Sequence, residues 1–526
     1  MSVLSPSYAF ASGGTALFRR AMIGLWLLSV PILCVLYLKV EPSPDQAQFD
    51  YMGWMATQGH PFYAASFDMN WPGGMLLHLA AVRLFGAAPW AWHLADFLLM
   101  QAATIAAAVF LWRAGFRLAP VIALVLYPPI YVTAGGWMAG QRDIVAMGLL
   151  IIACCAMLAP ASREWWALFC AGLLVACAVM IRPTYLSVLA GLLILEAMPR
   201  TWVQHPRRHG PGARLAAIAA GFALVVLAVV TWALAVGNLD DWYQQSVLFT
   251  SQVYAEEAPM DMVQTLVVLF TRWWHWLTLC GLVGLGLWIM RDRGIGYPLM
   301  LVLGLAAAIM LSYFVQGKGF GYHIAGFLPL LVMLTAVALD QVFERMRSAA
   351  SPWRQGAFGG ALLVMALLVV AGTGAKLAGN THLLGDFRSN GISPVTGGYD
   401  ISAADQASMV QIIRSQSAPQ DRMVQYGTAY QIPYLAQRLP AHRFITPAIE
   451  LIRPDFPLYD DWMAEIRAGL NTHQPRFILI LDPALAQAQA EPADKPALAA
   501  LHMYMADDYQ VAMQGEFGTL FERAAD

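Results

Sequence analysis

The chain has four polar stretches whose residue types could do chemistry, and each borders or interrupts an apolar run. The first covers residues 42–74 and holds Asp45, Asp50 and Asp68 together with seven aromatic residues. Asp45 comes soon after the first apolar run, where a carboxylate could act as general base toward a hydroxyl acceptor. For each of these three acids the alternative is a solvated loop residue.

The second stretch covers residues 135–143 and ends in Gln141, Arg142 and Asp143, where an apolar segment begins. A carboxylate at the start of a helix is stabilised by the positive end of the helix dipole. Asp143 is therefore either a simple helix cap or a second active-site carboxylate. Arg142 beside it favours the active site.

The third stretch is Arg182 with Pro183, at a break between two short apolar segments. A charged group near membrane depth is costly and often functional, although a snorkelling anchor would explain it as well. The fourth covers residues 316–323, where three glycines accompany Lys318, Tyr322 and His323. Lys318 and His323 could bind a phosphate, and the alternative is a flexible loop with an interfacial anchor. The spacing is not that of a Walker loop.

The composition indicates a polytopic α-helical membrane protein. Of 526 residues, 59% are hydrophobic and only 12% are charged, whereas ordinary globular chains carry about 25% charge. A net charge of −2 excludes nucleic-acid binding driven by bulk electrostatics. The six cysteines lie in apolar runs without metal-ligand spacing, which is typical of small buried hydrophobic residues.

The apolar segments predict about eleven membrane-spanning helices, since a span needs about 20 mostly apolar residues. They cover residues 21–39, 88–112, 118–134, 144–160, 165–181, 184–198, 215–236, 263–290, 296–315, 323–341 and 357–377. Arginines collect on one face, which places the N-terminus inside by the positive-inside rule. The loops 40–87, 135–143, 237–262 and 316–322 then lie on the outer face, and so does the tail from residue 378.

The first outer loop and the tail have their own predicted elements. Residues 48–58 and 74–85 have the spacing of helices lying in the membrane interface. In the tail, strand-length runs at Met423–Tyr426 and Phe477–Leu481 accompany helical patterns at 433–438 and 497–505. We therefore expect a transmembrane domain over residues 1–377 and a small α/β domain with a partly parallel sheet over 378–526.

Together, the outer loops gather acids suited to base catalysis and cations suited to an anion. A lipid phosphate and a hydroxyl to be activated would use both sets. Ten short motifs follow one another along the chain. They are Asp45-Gln46, residues 59–63, 67–73, 141–143 and 182–183, residues 317–323 followed by Pro329, Tyr426-Gly427, residues 434–438, Pro440-Ala441 and Arg443-Phe444. In this order, and with the span count, the chain resembles the C-type (GT-C) superfamily of integral membrane glycosyltransferases. The resemblance is to bacterial relatives of protein O-mannosyltransferases and lipid A aminoarabinose transferases.

The resemblance implies an inverting single displacement from a polyprenyl-phosphate monosaccharide, with transfer of a hexosyl or pentosyl group. The acceptor would be a hydroxyl of a cell-envelope glycan, glycolipid or protein on the outer face of a bacterial inner membrane. The implied catalytic acids are Asp45 and Asp143. The implied donor-phosphate residues are Lys318, Arg182, His323, Arg142 and Tyr322. The implied substrate-binding residues are Asp68, Asn70, Tyr63 and Gln141.

This chain departs from the family at one point, because the usual Asp-Glu pair is Asp45-Gln46 here. The resemblance leaves a divalent cation, Mg²⁺ or Mn²⁺, open as a cofactor, and the sequence has no clear ligand cluster. Three other functions remain alternatives: a lipid-linked glycan flippase, a ligase or polymerase that uses a diphosphate lipid, and a receptor. The central apolar segments are nearly free of charge, which disfavours the flippase.

Overall fold

The structure is a computed structural model that describes residues 6–40, 42–199, 208–257, 260–271, 274–379, 403–481, 495–506, 508–516 and 518–524. The chain divides into two compact units, and each is described by itself. We call the first the helical unit (Met1–Val40, His93–Val226 and Met260–Ile392). We call the second the mixed unit (Glu41–Trp92, Leu227–Pro259 and Ser393–Asp526).

Most of the described residues are helical. In chain order the helices are α1 Pro6–Tyr37, α2 Pro44–Thr57, α3 Pro72–Phe85, α4 Ala91–Arg113, α5 Ala119–Val132, α6 Arg142–Met157, α7 Glu164–Ile181, α8 Leu186–Ala197, α9 Pro211–Ala235, α10 Leu239–Tyr243, α11 Thr250–Gln252, α12 Met262–Thr271, α13 His275–Asp292, α14 Tyr297–Gln316, α15 Phe327–Ser348, α16 Pro352–Gly379, α17 Ala403–Gln416, α18 Gln431–Ala436, α19 Tyr459–His473 and α20 Pro496–Met505. A π-helical segment, Gln244–Phe249, joins α10 to α11.

Seven of the described helices are long and apolar enough to cross a membrane, or eight if α12 and α13 form one broken span. Each of the eleven predicted segments contains helix. However, α5, α6 and α8 have only 14, 16 and 12 residues, and the segment predicted as one span over 263–290 is two helices. The chain is thus a multi-pass membrane protein, while the count of eleven spans remains a prediction.

The helical unit is organised around α15, because 89% of the most apolar window of Gly321–Ser348 is buried. This helix packs against α5, α13 and α16. The contact with α13 is close at Gly284, where a Cβ atom would lie 1.9 Å from the carbonyl oxygen of Leu334. Small residues of this kind let the backbones of membrane helices approach one another.

Not every cysteine is buried as expected, because Cys170 is exposed.

The mixed unit contains a four-stranded sheet of order β1-β2-β4-β3, formed by β1 Met423–Tyr426, β2 Phe477–Leu481, β3 Tyr509–Gln514 and β4 Gly518–Arg523. The first two strands are confirmed at their predicted bounds, and they pair in parallel. The antiparallel hairpin β3–β4 was not predicted. Both faces of β2 are buried, since alternate residues pack into two separate hydrophobic clusters.

The two helices predicted in the first outer loop are also confirmed, as α2 and α3. They pack against each other, and α2 also packs against α18. Nine of the fourteen residues of α2 are buried in the protein, so this helix is a packed element of the mixed unit. Its position relative to a membrane surface remains a prediction.

Candidate active site

In the mixed unit, Asp45 lies in the first turn of α2, and the cap of this helix fixes its backbone. Ser43 is the N-cap residue, and its hydroxyl accepts a hydrogen bond from the Gln46 amide at 3.4 Å. The Gln46 side-chain oxygen in turn accepts from the Ser43 amide at 3.3 Å. This reciprocal arrangement is a capping box. It gives Gln46 a structural role and holds the half-buried Asp45 at the positive end of a helix.

Asp50 is not a solvated loop acid. Its Oδ1 lies 2.7 Å from Nδ1 of His78, and both residues are 2% exposed. The imidazole of His78 also stacks on Trp92, with ring centroids 3.8 Å apart. Burial raises the pKa of Asp50, and His78 opposes that rise. The pair thus joins α2 to α3 inside the mixed unit, which indicates a structural role for Asp50.

Asp68 is buried as well, and it is the centre of a hydrogen-bond network. Its Oδ2 accepts from Gln48 Nε2 at 2.6 Å, and its Oδ1 accepts from the backbone and side-chain amides of Asn70 at 2.6 and 2.7 Å. The amide of Gln245 bridges the Asp68 N–H and the Tyr63 carbonyl, and the Tyr63 hydroxyl donates to the Asn70 carbonyl at 2.7 Å. Three predicted substrate-binding residues therefore share one network that fixes this loop, and Gln245 was missed.

In the helical unit, Asp143 and Arg182 form a buried bidentate ion pair. Nε of Arg182 donates to Oδ1 of Asp143 at 3.0 Å, and Nη2 donates to Oδ2 at 2.7 Å. Asp143 stands in the first turn of α6, while Arg182 has extended backbone where α7 ends before Pro183. Two parallel hydrogen bonds fix the guanidinium plane. The arrangement suits Asp143 to orienting Arg182 better than to accepting a proton.

Arg182 of this pair belongs to a group of three cationic or potentially cationic side chains. Arg142, Arg182 and His323 are 9%, 8% and 3% exposed, and both arginines interact electrostatically with His323. The short turn Gly321–Ile324 that carries His323 packs against α6 and α14. A buried concentration of positive charge and imidazole is suited to an anion.

Lys318 and Tyr322 belong to the same outer stretch of the helical unit. Lys318 lies between Gly317 and Gly319, whose φ angles of 58° and 64° favour glycine. The ring of Tyr322 stacks between its neighbours, with its centroid 6.1 Å from Trp137 and 5.5 Å from Phe320. In the sequence, Lys318 lies two residues before Phe320, the first ring of this stack. Gln141 is the buried N-cap residue of α6.

The sequence analysis missed an acid within a span. Asp96, in α4, is 1% exposed and accepts hydrogen bonds from the hydroxyls of Tyr37 at 2.5 Å and Tyr131 at 2.8 Å. The Tyr131 hydroxyl also accepts from the Gly140 amide at 2.8 Å, directly before Gln141. This network anchors the segment that leads into α6. An ionisable residue inside an apolar run was the available signal.

A divalent cation has no evident site in the part of the chain that the structure describes. No three His, Cys, Asp or Glu side chains come together there as metal ligands would. Gln46, which stands where the family's second acid would be, is occupied in the helix cap. The residues that the structure describes therefore do not form a metal site.

Comparison with known proteins defines the fold. No protein-family model and no curated protein sequence matches the chain. The structure is similar to ArnT from Cupriavidus metallidurans bound to undecaprenyl phosphate, with a TM-score of 0.58 and 15% identity over 98% of this chain and 99% of that chain. It is also similar, with a TM-score of 0.48 and 12% identity over 96% and 74% of the two chains, to the archaeal oligosaccharyltransferase AglB from Archaeoglobus fulgidus in complex with an inhibitory peptide and a dolichol-phosphate. The chain thus has the fold of the GT-C membrane glycosyltransferase ArnT.

Proposed function

We propose that this protein is a membrane glycosyltransferase that moves a monosaccharide from a polyprenyl phosphate to an acceptor hydroxyl at the outer face of a bacterial inner membrane. The observation that carries the proposal is the buried set Arg142, Arg182 and His323 on a fold similar to that of a transferase bound to undecaprenyl phosphate. A buried concentration of positive charge attracts an anion. A lipid phosphate would supply the negative charge. The outer-face orientation and the boundary at residue 377 belong to the same proposal.

The proposed reaction is a single displacement. Asp45 removes the proton of the acceptor hydroxyl while its oxygen attacks the anomeric carbon of the sugar. The bond between that carbon and the phosphate oxygen breaks, the polyprenyl phosphate leaves with the electron pair, and the anomeric configuration inverts. Arg182, Lys318 and His323 stabilise the charge on the leaving phosphate. Asp143 acts as a positioning residue because it holds the guanidinium of Arg182.

The residues of the first loop have supporting roles in this proposal. The capping box of Ser43 and Gln46 gives Asp45 a rigid backbone, as a general base requires for alignment. Asp68, Asn70 and Tyr63 shape the loop through their shared network. Their direct contact with substrate remains a prediction, as do the substrate role of Gln141 and the donor role of Tyr322.

The test of Asp45 has a matched control in the same unit. Asp45 is the second residue of α2, and Asp460 is the second residue of α19. With purified protein in nanodiscs and a radiolabelled polyprenyl-phosphate sugar, Asp45→Asn should lower turnover about 10²–10⁴-fold, whereas Asp460→Asn should leave it unchanged. Near-wild-type turnover by Asp45→Asn would show that another group is the base.

The alternatives differ in what happens to the donor lipid. A ligase or polymerase would consume a diphosphate-linked glycan, and a flippase would move a lipid without breaking a glycosidic bond. Thin-layer chromatography of the radiolabelled lipid with the wild-type protein separates the three outcomes. We expect consumption of the monophosphate lipid alone. Asp96 is a buried acid within a span, and it is held by two tyrosine hydroxyls.

A further inference from the structure

The mixed unit contains a cavity of about 370 Å³ that the proposed reaction does not use. Its lining is basic and rich in imidazole, and includes Arg422, Arg443, His60, His442, His473 and Glu465. Cavities of roughly 300–1,000 Å³ are typical of small-molecule sites. This one could hold a group of about the size of a sugar.

The charge of the cavity comes from Arg422. Arg443 contributes no free positive charge, because it pairs with two carboxylates, Asp241 and, at 2.9 Å, Glu465. Arg422 donates from Nη1 to the Pro440 carbonyl at 3.2 Å, and no carboxylate pairs with it within the described ranges. A half-buried guanidinium without a counter-ion favours an anionic ligand.

The fold brings donors to this cavity from separate segments. On α19, Gly469 allows a close approach, since a Cβ atom there would lie 2.7 Å from the Ala441 carbonyl oxygen. One turn later the same helix supplies Thr472 and His473 to the cavity lining. His60 comes from the loop after α2. Hydroxyl, imidazole and guanidinium groups from separate segments thus line the cavity.

The imidazoles of the cavity are uncharged near neutral pH. Burial, and after it the charge of Arg422, lowers the pKa of both His60 and His473, and burial lowers the pKa of His442. A neutral imidazole still has one N–H to donate. An anion placed beside Arg422 would raise the pKa of His60 and His473, so binding should be accompanied by proton uptake and should strengthen as the pH falls toward about 6, below which the phosphate itself loses charge.

We propose that this cavity binds the phosphate group of a phosphorylated saccharide, with Arg422 as the charged anchor and His60, Thr472 and His473 as further donors. A phosphate has three terminal oxygens and suits donors that converge from several sides, whereas a carboxylate has two in one plane. The remaining volume accommodates a sugar ring. Use of this site by an acceptor of the sugar transfer rests on the proposed function, but binding itself does not.

Isothermal titration calorimetry tests the site without turnover. The full-length protein in phosphatidylcholine nanodiscs is titrated with glucose 1-phosphate, glucose and glucuronate. We expect binding of glucose 1-phosphate only, with heats that depend on the ionisation enthalpy of the buffer because protons are taken up. Arg422→Gln should weaken binding about 10- to 100-fold. The control Arg414→Gln should not, although Arg414 also donates to a backbone carbonyl.

A second variant protects the test against misfolding. His473 is exposed, so His473→Gln should fold normally and weaken binding about 2- to 10-fold. Equal binding of glucuronate, or equal effects of Arg422→Gln and Arg414→Gln, would overturn the proposal.

The source of the phosphate is distinguished by replacing part of the nanodisc lipid with phosphatidic acid. If a lipid headgroup reaches the cavity, the heat with glucose 1-phosphate should fall, and Arg422→Gln should remove that competition. If the heat is unchanged, the site takes a soluble sugar phosphate. Absence of binding in both kinds of nanodisc would refute the site.

Discussion

Removal of the Asp143 carboxylate should strongly destabilise the helical unit. The side chains of Asp143 and Arg182 are 0% and 9% exposed, so Asp143→Ala would leave a guanidinium buried without its counter-ion. Breaking a buried pair in this way costs about 3–5 kcal/mol of the free energy of unfolding. The double variant Asp143→Ala/Arg182→Met removes both charges and should lower the free energy of unfolding clearly less than Asp143→Ala does.

Equilibrium unfolding in mixed micelles, followed by tryptophan fluorescence, measures these free energies. The exposed pair of Glu256 and Arg453, whose side chains are 61% and 53% exposed, is the control, and Glu256→Gln should cost less than about 1 kcal/mol. A loss below about 1 kcal/mol for Asp143→Ala would refute the reasoning. The reasoning would also be refuted if the double variant lowered the free energy of unfolding by as much as Asp143→Ala and Arg182→Met do in sum.

Two further predictions concern stability. Burial raises the pKa of Asp50, so the folded state binds that proton more tightly than the unfolded state does. The free energy of unfolding should therefore fall as the pH rises from about 4 through the raised pKa. Asp50→Asn, which keeps a partner for His78, should flatten this pH dependence in unfolding curves measured in the acid range, and an unchanged slope would contradict the prediction. Gly284→Ala places a methyl group against the Leu334 carbonyl and should lower the free energy of unfolding by about 1–3 kcal/mol. Gly286→Ala on the same helix, which meets nothing within 4 Å, should not lower the unfolding midpoint, and equal midpoints of the two variants would contradict the close packing.

The sequence predicted elements wherever a local pattern was strong. The apolar run of β2 predicted its bounds, because a strand covered on both faces is continuously hydrophobic. The bounds of β1 followed from a short, mainly apolar run that includes Gln425. The hairpin β3–β4 was missed because β3 is largely exposed and lacks such a run. Periodicity also indicated α2 and α3, although not how far α2 is buried.

For the candidate site, the residue types could be predicted from the sequence, but their partners could not. Asp143 and Arg182 were both selected, yet their pairing joins residues 39 apart, which no local pattern shows. Gln245 bridges the Asp68 and Tyr63 backbones across more than 170 positions and resembles any other polar loop residue. Such contacts are set by tertiary packing, so spacing alone could not reveal them.

The most direct measurement is a cryo-EM map of the purified protein with added undecaprenyl phosphate. The account predicts phosphate density within hydrogen-bond distance of Arg182, Lys318 or His323, with the ion pair of Arg182 and Asp143 intact. Density for the lipid phosphate away from all three cations, or a lipid threading the helical unit along a continuous pathway, would contradict the transferase account and favour a flippase.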